Sequence, residues 1–165
     1  MPYTQEGFQY HKASFRGARE FCGLSQNDVA RALGTTVEVV RGWEKPGPNG
    51  DIHSSDYAPK KAWDYIEHEV GVLLDLVQET RTRIHCDIES NGYFPDVYPV
   101  SYLRDAEHFA ANGGDPDGNV HWGMLNAWAR YVALTLALEG IQVEFYYPED
   151  ENLGIPGHSV FKYGM

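Results

Sequence analysis

Residues 25–47 read SQNDVARALGTTVEVVRGWEKPG, and this run limits the fold more than any other part of the chain. Ser25 suits a helix N-cap, because its hydroxyl can accept from an amide that the first turn leaves free. The helix it opens, Gln26 to Leu33, turns Val29, Ala30 and Leu33 inward. Gly34 follows, where the chain must turn sharply, and glycine takes a left-handed backbone without steric cost. Thr36 then caps a further helix to about Glu44, closed by the breakers in KPGPNG. An earlier helix, from Lys12 or Ala13 to Phe21, is read from Phe15, Ala18, Arg19 and Cys22 at i, i+3, i+4 and i+7, with Gly23 as its stop. Ala30 is small where two helices cross closely, and Val40 and Trp43 point back to lock the third helix on the first two.

The spacing resembles that of helix-turn-helix proteins of the lambda repressor, Cro and Xre type. In that family a Gln opens the second helix, an Ala follows four residues on, and a Gly marks the turn. An aliphatic residue and a Trp or Leu then come from the reading helix. The corresponding residues are Gln26, Ala30, Gly34, Val40 and Trp43, with GLSQ before them and WEKPG after. The resemblance covers about residues 12–47. It implies binding to double-stranded DNA, with the N-terminal end of the third helix in the major groove and the second helix crossing the backbone.

On that resemblance Gln26 meets a phosphate beside the free amides of its helix. Thr36, Val37 and Glu38 face base edges: a carboxylate accepts from cytosine N4, and an aliphatic group packs on a thymine methyl. Arg41 is the one long donor on that face, suited to guanine or to phosphate. Gly42 stands where related repressors often carry a polar reader, so readout there is expected to be lost. Arg16 and Lys45, with Lys12 and Arg19, are expected to neutralise the backbone.

Charge bears on this reading. The formal net charge is -11. Residues 1–63 hold eight Lys/Arg against seven Asp/Glu, and residues 64–165 hold five against seventeen. The acidity therefore lies outside the helix trio. It opposes tight non-specific binding to nucleic acid, which is mostly phosphate electrostatics. A single weakly charged tip reads two or three base pairs poorly. Two copies in a symmetric homodimer would match a palindromic site, with half-sites roughly 34 Å apart.

The second part is expected to supply that dimer. From Lys60 to about Ile88, Trp63, Ile66, Val70, Leu73, Val77 and Ile84 recur at three- and four-residue steps, Thr80 filling one gap. The stretch SNGYFPDVYPV reads as irregular or short-strand material, since its prolines forbid a central strand. Ser101 is expected to cap a helix through Ala111. Residues 120–139 form an apolar helix whose Leu125, Trp128, Val132 and Leu136 present more apolar surface than a short domain covers. His121, Asn126, Arg130 and Glu139 make it a poor membrane span. IQVEFYY alternates as a half-buried strand with Ile141, Val143, Phe145 and Tyr147 inward, and the tail after Pro148 reads as an exposed loop with a small apolar end. Across about residues 60–145 the order of features resembles small two-part cytoplasmic helix-turn-helix regulators, among them anti-CRISPR-associated repressors of phages. That resemblance implies a homodimeric autoregulator.

Catalytic and metal chemistry is not expected. The seven histidines form no ligand pattern, Glu67-His68-Glu69 lacks the second histidine of a zinc-peptidase helix, and DPDGN lacks the carboxylates of a calcium loop. No phosphate-binding glycine loop or nucleophile elbow occurs. Hydrophobic residues make up 42% and charged residues 22%, which is globular composition. Cys22 and Cys86 have no metal-ligand spacing, and the polar start MPYTQEGFQYHK is no leader, so a reduced pair in the cytoplasm is expected.

The expectation is a mainly α chain: residues 1–58 a helix-turn-helix DNA-binding domain, residues 59–165 a long helix and a dimerisation domain with one or two short strands. No cofactor, membrane or small-molecule effector is inferred. The alternative is an antitoxin-like or scaffold interaction module that keeps the fold without the activity.

Overall fold

The computed structural model describes residues 4–5, 8–9, 12–46, 57–91, 97–114 and 121–147. Its elements in chain order are β1 (Thr4–Gln5), β2 (Phe8–Gln9), α1 (Lys12–Phe21), α2 (Gln26–Leu33), α3 (Val37–Glu44), α4 (Lys60–Asn91), β3 (Val97–Ser101), α5 (Ala106–Ala111), α6 (Trp122–Leu138) and β4 (Gln142–Tyr146). The described chain is mainly helical. It divides into two compact units, Met1–Val72 and Leu73–Met165, with α4 passing from one to the other. The expected turn DPDGN and the tail after Pro148 lie outside the described residues.

In the first unit, β1 and β2 form an antiparallel pair. The three short helices follow from local chemistry. Ser25 Oγ accepts from the Asp28 amide at 3.1 Å and Asp28 Oδ2 accepts from the Ser25 amide at 2.8 Å, a reciprocal cap at the start of α2. Gly34 ends α2 at φ 64°, and the next amide, Thr35, reaches back to the Ala30 carbonyl at 2.9 Å. The core is aromatic: the Phe15 ring meets Trp43 and Trp63 edge-on at centroid distances of 5.8 and 5.2 Å. Val29, Ala30, Val40, Ala62 and Ile66 are buried with them, so the first turns of α4 pack with the trio. Leu33, expected inward, is only half-buried, because it sits in the last turn beside the Gly34 bend.

The second unit is built on α6. Leu125, Trp128, Val132 and Leu136 are all buried inside the chain, which corrects the expectation that they form an uncovered patch. The C-terminal half of α4 shares that core: Thr80 Oγ1 accepts from Trp128 Nε1 at 3.0 Å, and Arg81 Nε donates to Glu139 at 2.7 Å. The apolar side chains left open on α6 are Leu134, 55% exposed, and Leu138, 80% exposed. No helix among the described residues is long and apolar enough to cross a membrane.

β3 and β4 pair in parallel, Val97 opposite Gln142 and Ser101 opposite Tyr146, and the Tyr102 amide extends the ladder to the Tyr146 carbonyl at 2.8 Å. Pro99 is tolerated because β3 has one neighbour strand among the described residues and needs no second row of amides. Two expectations fail here. Ser101 is a buried strand residue, and the α5 cap is Asp105, whose Oδ1 accepts from the His108 amide at 2.8 Å. In β4, Tyr146 is buried (5%) while Phe145 and Tyr147 are each 46% exposed, against the expected facing. The two open rings lie edge-on to Tyr102 and His108 respectively.

Candidate functional site

α3 is eight residues long with one face sunk and one face open. Val40, Trp43 and Glu44 are buried, whereas Glu38, Val39, Arg41 and Lys45 are exposed. Its first turn is held by Thr36, whose Oγ1 accepts from the Val39 amide at 3.4 Å, so the N-cap hydroxyl is committed to the helix start. Val37 and Gly42 are half-buried.

Behind the helix lies a buried polar network that the sequence reading missed. Arg19 Nε and Nη2 donate to the two Glu44 carboxylate oxygens at 2.5 and 2.9 Å, and Nη1 donates to the Leu24 carbonyl at 2.7 Å. Gln26 Nε2 adds a bond to Glu44 Oε2 at 2.7 Å. The Glu44 carboxylate at the end of α3 thus joins α1 and the first residue of α2, and Arg19 carries the network on to the α1–α2 link. Both charges are buried and paired in a fork geometry, the arrangement in which an interior ion pair is tolerated. The available signal was that Arg19 and Glu44, of opposite sign, each fall on the inward stripe of a helix.

This network changes several assignments. Arg19 is a structural residue and cannot neutralise a phosphate. Gln26 is turned inward to Glu44, so its amide must leave that bond before it meets anything outside. Arg16 is exposed but spends its charge on Glu20 one turn away, at 2.7 Å. Each partner holds the other charged: the Glu20 hydrogen bond raises the Arg16 pKa, and the Arg16 hydrogen bond lowers that of Glu20. Lys12 Nζ donates to the Gly42 carbonyl at 2.9 Å and lies over the Tyr57 ring. Arg41 and Lys45 form no ion pair with any described residue. No family model matches the chain, and no curated protein matches it.

The open face of α3 therefore offers a carboxylate at Glu38, a valine methyl pair at Val39, and two cations at Arg41 and Lys45. These are hydrogen-bond acceptors, donors and an apolar contact on one rigid rod that the buried face fixes in place. Elsewhere, a shallow groove of about 210 Å³ runs over Gln78, Arg81, Thr82, His85, Cys86 and Glu89 in the second unit. All six residues come from α4, so the groove is one helix surface and lacks the converging walls of a small-molecule site. Among the described residues no three His, Cys, Asp or Glu side chains gather to hold a metal.

Proposed function

We propose that the chain is a DNA-binding transcription regulator of the cytoplasm that acts as a homodimer, with α1–α3 as a helix-turn-helix module of the lambda repressor and Xre kind. The observation that carries this reading is the asymmetry of α3. Its inner face is fixed by Val40, Trp43 and the Glu44 network, while Glu38, Val39, Arg41 and Lys45 stand open on one helix. A rod so held can enter a major groove, where a guanidinium pairs with guanine and a carboxylate accepts from cytosine. With Arg16 bound to Glu20 and Arg19 buried, few cations are left for phosphate, and one copy binds weakly. A symmetric pair doubles the contacts, and the open Leu134 and Leu138, one turn apart on α6, support a second copy as partner. No catalytic step and no cofactor belongs to this reading.

The scarcity of free cations equally favours the alternative, an antitoxin-like or scaffold module that uses the same face for protein. A selection separates the two. Purified chain is mixed with a random duplex pool, bound DNA is sequenced, and binding of the winner is measured at about 50–200 mM salt. The regulator reading expects a palindromic consensus and a loss of about 1–3 kcal/mol on Arg41→Ala. A pool that stays random would favour the protein-interaction module.

A further inference from the structure

Two residues on α3 have no internal reason to be there. Val39 is 42% exposed and is the large hydrophobic residue left open among the described residues of the first unit. A β-branched side chain is a poor choice for an exposed helical position, where packing gives nothing back. Gly42 is the second. A Cβ built on it meets no atom within 4 Å, so neither sterics nor a positive φ calls for glycine, and glycine weakens a helix interior. The two lie three residues apart, which makes them neighbours on the helix surface. Gly42 leaves the flank of Val39 uncovered. The same steric freedom holds at Gly17 and Gly71, so it is the pairing of Gly42 with an open valine on the exposed face of α3 that fits a surface where local rules give way to function.

We propose that Val39 is a specificity-determining residue that packs its methyls on the 5-methyl group of a thymine, with Gly42 keeping the space beside it clear for that base. The proposal rests on the DNA-binding reading and sharpens it. The residue expected to make this contact was Val37, but Val37 is half-buried and Val39 is the valine that stands out. A β-branched side chain in a helix is confined to essentially one χ1 rotamer, so its methyls are already placed before contact. The Thr36 cap fixes the same turn. Major-groove thymine presents an apolar methyl that no other base offers, and an aliphatic contact is how proteins read it.

The test uses the duplex selected by the parent chain, with each thymine in turn replaced by deoxyuridine, which lacks only that methyl. One position in each half-site is expected to weaken binding by the parent about fourfold, the effect of one buried methyl. Val39→Ala should bind the normal duplex about as well as the parent binds the uridine one, and should be indifferent to the replacement. Gly42→Ala, whose Cβ meets no atom within 4 Å and which restores a good helix former, should melt no lower than the parent yet weaken the same discrimination. If no thymine position responds, or Val39→Ala keeps the full uridine penalty, Val39 is not the reader, and the DNA-binding reading stands without it. If no duplex is enriched at all, both are overturned.

Discussion

Removing the Glu44 carboxylate should unfold the first unit more effectively than any exposed change on the same helix. In Glu44→Ala, Arg19 loses two of its three hydrogen bonds while its guanidinium stays buried, keeping the Leu24 carbonyl and a looser contact with Glu20 at 3.8 Å. Two charge-assisted hydrogen bonds at about 1.5–3 kcal/mol each and the direct cost of orphaning one member of a buried pair, about 3–5 kcal/mol, agree near 4 kcal/mol. Small domains hold about 5–15 kcal/mol in all, so the loss should lower the melting temperature by roughly 15–30 °C. The double change Arg19→Met with Glu44→Leu removes both charges and keeps the volume, and it should recover most of the loss. The assay is the urea dependence of amide exchange at Val40 and Trp43, which are buried in the core of the first unit and report its opening. Burial also makes the effect insensitive to salt, unlike that of an exposed pair. The reasoning fails if Glu44→Ala is no less stable than the exposed control Glu38→Ala, or if the double variant is as unstable as the single one.

Three further outcomes follow from the geometry. Asn126 is buried and clasps the Leu103 backbone, accepting from its amide at 2.8 Å and donating to its carbonyl at 2.6 Å. Asn126→Leu should therefore cost about 3 kcal/mol, at about 1–3 for each buried backbone group left unmatched, and an unchanged denaturation midpoint of the second unit would refute this. The Asp105 pKa is held below its ordinary 3.8 by the His108 amide and then by the Arg104 side chain. The cap's contribution is whole above 3.8 and is lost as pH falls through the lower folded value; the His108 amide shift should titrate with a midpoint under 3.8. Burial pushes the Cys22 thiol up to about 12, with Glu69 adding to the effect, while Cys86 is exposed. At pH 8 iodoacetamide should modify Cys86 and leave Cys22 intact by peptide mass, and equal modification would place Cys22 at the surface.

What could be read from the sequence was whatever short-range chemistry decides. Ser25, Gly34 and Thr36 each act on backbone within four residues, and the helices they bound run from Gln26 to Leu33 and from Val37 to Glu44 as expected. What depended on a distant partner could not be read. Glu44 lies on the inward stripe of its helix, but only the meeting with Arg19 accounts for a carboxylate there, and Gln26 looks free until it turns to the same carboxylate. Ser101 failed as the cap because pairing with β4 claims it for a strand, and the helix starts later, at Asp105. Around β4 the expected facing holds from Ile141 to Glu144 and reverses from Phe145 to Tyr147, since a strand in a two-stranded pair takes its facing from what lies on each side. On α3 the expected aliphatic reader was Val37, and Val39 was not considered; the burial of the two valines, which depends on how the three helices pack, reverses that choice.

The partner of β3 is made well after it. Val97–Ser101 pairs with Gln142–Tyr146 across the whole of α5 and α6, so the parallel ladder cannot zip until both helices have been synthesised and the loop between the strands has closed. Closing such a loop sacrifices chain freedom before any contact rewards it, which makes distant strand pairing a slow event. On the ribosome, α1, α2 and α3, whose links are a few residues each, are ready well before β4 is translated. A chain cut short after α6 would therefore leave β3 waiting with its backbone groups unmatched, a strand in search of any other to join.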